Sequence, residues 1–176
     1  AVNTGFVAIA EAPFGGIKDL QKGLIITPLD PDTTFDDDPL RMLRAIRFST
    51  QLKFEIAPNI IESISRMKNR IEIIPWERIT NEIIKILKAD KPSIGFYALR
   101  DTGLLNIILP EFSIMEGVET IGKMSHKDVF IHTLQVIDNA ALLTEKMQVR
   151  FAALVHDIAK PKTKKFPNKT SNKRFA

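Results

Sequence analysis

The 176-residue chain contains no cysteine. That excludes disulfides and thiolate metal sites, and it fits a reducing compartment. No apolar run reaches the roughly 18 residues of a membrane span, so no membrane partner is expected and a cytoplasmic location is. Residues 1–5, Ala-Val-Asn-Thr-Gly, lack the charged start of a secretory signal. No internal repeat is evident. Charge of one sign is nearly balanced, with 25 Lys and Arg against 21 Asp and Glu and a net charge of +4. Its distribution is uneven: Lys160, Lys162, Lys164, Lys165, Lys169, Lys173 and Arg174 crowd the C-terminus. Set among Asn, Thr and Ser, these form either a solvated loop or a patch for the phosphates of a nucleic acid.

Apolar residues at helical spacing are plentiful. Ile60, Ile61, Ile64, Met67 and Ile71 form one stripe, and Ile79, Ile83, Ile84, Ile86 and Leu87 form another after Pro75. Phe130, Leu134, Ile137, Ala141 and Leu142 mark a third helix. A fourth is expected from Val149 to Lys160, stopped by Pro161. Phe6-Val7-Ala8-Ile9 and Gly23-Leu24-Ile25-Ile26-Thr27 are short apolar runs among Gly and Pro, which suggests brief strands. Pro28, Pro31 and the nearby aspartates should break the chain. The fold class is therefore mainly α, with short strands possible in the first 30 residues.

The most informative stretch is Asp36-Asp37-Asp38-Pro39-Leu40-Arg41-Met42-Leu43-Arg44-Ala45-Ile46-Arg47-Phe48. Carboxylates favour a helix N-terminus, and proline in the first turn loses no bond the helix would have made. At ~100° per residue, Arg41, Arg44 and Arg47 form a ridge, while Leu40, Met42, Leu43 and Ile46 fall on a face that can be buried. Asp38 and Arg41 are three apart and can sit side by side. They could form an ordinary surface salt bridge. They could also form an acceptor–donor array suited to a base edge, with further arginines for phosphates.

This stretch resembles the nucleotide-selecting motif of the bacterial-type (class II) tRNA nucleotidyltransferases, the CCA-adding enzymes, and of their poly(A) polymerase relatives. Asp37 stands where that family usually has Glu. The resemblance implies that Asp38 and Arg41 template the incoming CTP or ATP, with Arg44 and Arg47 supporting the base or its triphosphate. Pro13-Phe14-Gly15-Gly16-Ile17-Lys18-Asp19-Leu20 resembles the family's turn between catalytic head and neck, although Ala12 stands where Asp is common. A glycine pair permits the backbone angles of a hinge or tight turn. Trp76-Glu77-Arg78-Ile79-Thr80-Asn81-Glu82 resembles the next neck motif, in which Arg78 and Glu82, four apart, can bond along one helix face and support the neck. Gly103-Leu104-Leu105 and Leu109-Pro110-Glu111 fit the same pattern as a helix end and a proline turn.

All three histidines lie in the last third. The segments around His126 and His132, and around His156-Asp157, resemble an HD domain. That resemblance implies a divalent transition metal on His132, His156 and Asp157, with His126 nearby. Imidazole with carboxylate suits Ni, Mn, Fe or Zn. The family's later Asp ligand would lie beyond Ala176, and Ala159 replaces a common Gly. The alternative is that the histidines pack between helices.

The family's head holds two Mg2+ ions on an aspartate pair behind a Gly-Gly turn. No such Asp-x-Asp strand occurs here: Asp30-Pro31-Asp32 matches by letter, but proline argues against a catalytic strand. The expected layout is a remnant of the head and hinge over 1–33, a helical neck over 34–112, and a partial HD-like domain over 113–176. The resemblance implies tRNA, CTP and ATP as partners, Mg2+ in the head, and no transfer by this chain alone. It leaves the oligomeric state open. Two other classes stay in view: an HD-type phosphohydrolase and a non-catalytic RNA-binding module.

Overall fold

A computed structural model describes residues 16–117 and 128–163, with the backbone alone at 120–121 and 124–125. The run Phe6-Val7-Ala8-Ile9, Gly15, His126 and the basic residues from Lys164 onward lie outside the described residues. The order is α1 (Gly16–Lys22), β1 (Leu24–Ile25), α2 (Pro31–Asp37), α3 (Leu40–Leu52), β2 (Glu55–Ile56) and α4 (Pro58–Met67). A 3-10 segment (Lys68–Ile73) leads into α5 (Trp76–Leu87), α6 (Ser93–Asp101), α7 (Leu104–Ile108) and α8 (Pro110–Ser113). A short antiparallel pair, β3 (Thr120–Ile121) and β4 (Met124–Ser125), precedes α9 (Val129–Leu143), α10 (Met147–Val155) and α11 (Lys160–Thr163).

Pro31 does not break the chain. It opens α2, and Asp30 caps that helix by accepting the Thr33 N–H at 3.1 Å. Proline serves there because the first helical N–H has no partner to lose, as it also does at the starts of α4 and α8. Asp32 is thereby drawn into helix contacts with Ser63 and Arg66 of α4, far from any catalytic strand. After α3, Lys53 takes a left-handed conformation (φ 58°) and turns the chain into β2. That strand pairs in parallel with β1, Ile56 opposite Ile25.

The expected apolar face of the arginine helix is buried: Leu40, Met42, Leu43 and Ile46 all join the core. With them pack Phe35, Ile60, Ile64, Ile79 and Ile86, and a run of tilted rings, Phe96, Phe112 and Phe130, spaced 5.4 and 5.3 Å apart. Helix α3 lies against α5 and α6 at a distance that leaves no space at Gly95. A Cβ there would stand 2.5 Å from Ile86 Cγ2 and 2.7 Å from Thr50 Oγ1. Gly103, at φ 76°, makes the left-handed turn between α6 and α7.

Helices α9 and α10 are fastened to the rest by two polar anchors. Asp138 accepts from the Ser93 N–H and hydroxyl at 3.0 and 2.7 Å, holding α9 to the start of α6. Arg150 is 4% exposed and donates to the carbonyls of Leu87, Ala89, Ala141 and Thr144 at 2.8–3.1 Å. These carbonyls lie at the ends of α5 and α9, where helices leave acceptors unpaired and carry partial negative charge. The guanidinium is thus satisfied by backbone alone among the described residues.

The helical stripes are shorter or narrower than their spacing implies. Leu142 and Leu143 are 80% and 85% exposed, because the last turn of α9 overruns the core. Ile61 also faces outward. The helix expected from Val149 to Lys160 stops at Val155, so His156 and Asp157 sit in the turn beyond it. Pro161 falls in the first turn of α11, where proline is tolerated, and does not stop a helix there.

Candidate nucleotide-reading and metal sites

The three aspartates before the arginine helix are not equivalent, because each is held by a different arginine. Asp36 pairs with Arg70 at 3.0 Å, Asp37 with Arg41 at 2.8 Å, and Asp38 with Arg78 at 3.3 Å. The Asp38 carboxylate also accepts the Leu40 N–H at 3.2 Å, so it supports the first turn of α3. Among the described residues, Asp38 and Arg41 form no ion pair with each other. Arg41 instead uses one nitrogen, Nη1, for both Asp37 and the Thr34 carbonyl at 3.2 Å. Its Nε and Nη2 have no partner among the described residues, and the half-exposed guanidinium keeps those donors for solvent or a ligand.

The arginine ridge is also not uniform. Arg44 is exposed. Arg47 is turned inward: its Nε bonds Glu82 Oε2 at 2.6 Å, and its Nη1 bonds Gln51 at 2.8 Å. Glu82, 5% exposed, also receives Lys85 at 2.9 Å. The Arg78–Glu82 bond that the spacing allows along α5 is replaced by two bonds away from it, Arg78 to Asp38 just before the arginine helix and Glu82 to Arg47 on it. Helix-to-helix partners win here because α3 and α5 are packed together, and the Arg47–Glu82 pair lies almost wholly out of water.

The second constellation joins α9 to the turn after α10. His132 Nε2 and His156 Nε2 lie 3.9 and 3.1 Å from Asp157 Oδ2, and the two rings meet edge to face at 5.7 Å. One ligand atom from each of the three residues falls within 4.8 Å of the others. His156 Nδ1 is 2.8 Å from the Ala153 carbonyl. A proton on Nδ1 would donate to that carbonyl and, once a metal ion is bound, leave Nε2 as its ligand atom, the orienting arrangement typical of metal-binding histidines. The donor set fits a borderline transition metal, with further positions left to water or substrate. The histidines are not packed into the core: both stay partly exposed.

Asp157 is nearly buried, and its second partner was not read from the sequence. Lys160, three residues on, places its ammonium 2.5 Å from the same Oδ2. Burial acts to raise the Asp157 carboxyl. The Lys160 hydrogen bond and the charges of His156, Lys160 and His132 outweigh burial and hold it below the ordinary carboxylate value. The signal was local, since residues three apart share a turn.

Two segments of the chain match known family models. Residues 53–115 match the family model described as a probable RNA and SrmB-binding site of polymerase A, and residues 129–175 match the HD domain model. The multifunctional CCA protein of Nitrosospira multiformis is 39% identical over 154 residues, covering 86% of this chain and 37% of that protein. The namesake protein of Psychromonas ingrahamii is 36% identical over 168 residues, covering 90% and 41%. The chain thus spans about two fifths of the length of these curated relatives. Among solved structures, a tRNA-processing enzyme shares the fold at a TM-score of 0.59 and 22% identity, over 85% of this chain and 41% of the other. A CCA-adding enzyme solved with ATP shares it at 0.52 and 18%, over 80% and 49%. With these two family-model matches and these relatives, the chain belongs to the family of CCA-adding tRNA nucleotidyltransferases and poly(A) polymerases.

Proposed function

We propose that this chain supplies the neck and HD-like part of a tRNA nucleotidyltransferase that builds CCA ends, and that its neck selects CTP and ATP. The observation that carries the reading is the setting of Asp38 and Arg41. A partly enclosed carboxylate is fixed by Leu40 and Arg78, and beside it on the same short segment a guanidinium is fixed through one nitrogen only. Cytosine and adenine both present an exocyclic amine donor next to a ring-nitrogen acceptor. A carboxylate accepts from the first and a guanidinium donates to the second. Guanine and uracil reverse that order and would set acceptor against acceptor and donor against donor. Exposed Arg44 suits the triphosphate. Arg47, tied to Glu82, acts by holding α3, and Arg78 and Glu82 support the neck from α5.

In this reading residues 34–112 form the neck, 113–176 the partial HD-like domain, and 1–33 the passage from a catalytic head. The two Mg2+ ions and the attack of the RNA 3′ hydroxyl belong to that head, so this chain alone transfers no nucleotide. The partners are tRNA, CTP and ATP; among the described residues no helix is long and apolar enough to cross a membrane. The test is incubation of the isolated chain with labelled CTP, Mg2+ and tRNA lacking its CCA end. No incorporation is expected, and detectable incorporation would sink the assignment of chemistry to the head.

A second reading is favoured by one observation, the His132–His156–Asp157 cluster with its oriented imidazole. It makes the chain an HD-type phosphohydrolase, in which a bound divalent ion would supply Lewis acidity and an activated water. Here His132, His156 and Asp157 would hold the ion. Elemental analysis of protein purified without chelator should then find near-stoichiometric Ni, Mn, Fe or Zn, and metal-free protein counts against this reading.

A further inference from the structure

Lys160 lies where a cation competes for Asp157. Its Nζ is 2.5 Å from Asp157 Oδ2, the same oxygen that faces His156 Nε2 at 3.1 Å and His132 Nε2 at 3.9 Å. Asp157 is 10% exposed on its side chain and has no room to offer its carboxylate to solvent, whereas the Lys160 side chain is 55% exposed. The lysine backbone is fixed nearby, its N–H bonded to the Asp157 carbonyl at 2.9 Å. Its flexible stem can nonetheless swing the ammonium into water at little cost.

We propose that Lys160 is a built-in competitor for divalent cations at the His132–His156–Asp157 cluster, so that an ion gains the Asp157 carboxylate only as the Lys160 ammonium leaves it. The inference rests on reading that cluster as a cation site. An ammonium and a divalent ion sharing one carboxylate oxygen repel each other strongly in a poorly hydrated site. Affinity is therefore set by an exchange of cations on Asp157, and the charge of residue 160 tunes it. An uncharged side chain such as Gln or Ala would leave the two imidazoles and the carboxylate in place and remove the competitor.

The test is calorimetric titration of the 176-residue chain with Ni2+ and Mn2+ at fixed pH and ionic strength, comparing it with Lys160→Gln, Lys160→Ala, Lys160→Arg and His156→Ala. Gln and Ala should each tighten binding about tenfold or more, Arg should bring no gain, and His156→Ala should abolish binding. The parent chain's Lys160 side-chain amine resonance should also shift on adding diamagnetic Zn2+. If the parent chain binds and neither Gln nor Ala binds more tightly, the competitor role is wrong while the cation site stands. If Arg gains as much as Gln, charge is not the cause and the proposal fails. Absence of binding in every variant would overturn the cation site and the role of Lys160 together.

Discussion

Arg47 Nε and Glu82 Oε2 meet at 2.6 Å with side chains only 12% and 6% exposed, joining the arginine helix to α5. Removing one partner of such a pair strands the other in a poorly solvated place. Glu82→Ala should therefore cost about 3–5 kcal/mol in a urea melt, whereas Arg47→Met combined with Glu82→Leu should cost clearly less than the two single changes summed.

The Asp38–Arg78 pair should behave in the opposite way. At 3.3 Å, with Arg78 half exposed, it contributes at most about 1 kcal/mol to stability. Its role under the proposed function is to aim the Asp38 carboxylate. Arg78→Ala is expected to leave the melt of this chain nearly unchanged and, in a full-length relative carrying this segment, to weaken discrimination of CTP from UTP, measured by competition in a nucleotide-incorporation assay.

Arg150→Met leaves four backbone carbonyls without their donor and should cost about 3 kcal/mol or more. Arg150→Lys should recover little of that, since one ammonium cannot span carbonyls from α5, α9 and the segments beyond them. Denaturant melts of both variants check this.

Gly95→Ala tests the closeness of α3, α5 and α6. Its Cβ would collide with Ile86 and Thr50, so a loss of about 1–3 kcal/mol is expected, against the usual gain for Ala over Gly in a helix.

The Asp157 carboxyl is held below its ordinary value of 3.8. A depressed carboxyl contributes stability that is present above 3.8 and is lost as pH falls through its lower folded value. Asp157→Asn should therefore flatten the fall in melting temperature below that pH, relative to the parent chain.

The regular parts of this fold were legible in the sequence. Isoleucine spacing located α4 and α5, and the buried face of α3 followed from Leu40, Met42, Leu43 and Ile46. Partner choice was not. Arg47 and Glu82 are 35 residues apart, and nothing local distinguishes Arg47 from exposed Arg44 until α3 and α5 are packed together. The i, i+4 spacing of Arg78 and Glu82 pointed to a bond within α5, but each found a partner on or beside α3 instead. Leu142 carried the period of α9 past the edge of the core, where spacing has no information about what lies opposite. Of the His132–His156–Asp157 cluster, the resemblance named the three residues, and only the fold brought His132 to the turn holding His156 and Asp157.

The most direct test replaces the matching segment of the Nitrosospira multiformis multifunctional CCA protein with this chain. Incorporation of each nucleotide into tRNA lacking its CCA end is then measured for the chimera and for its Asp38→Ala and Arg41→Ala variants. The proposed reading predicts that the chimera adds only C and A, and that both variants lose that preference while their Mg2+ requirement is unchanged. Variants that still choose C and A as strictly as the parent chimera would contradict it.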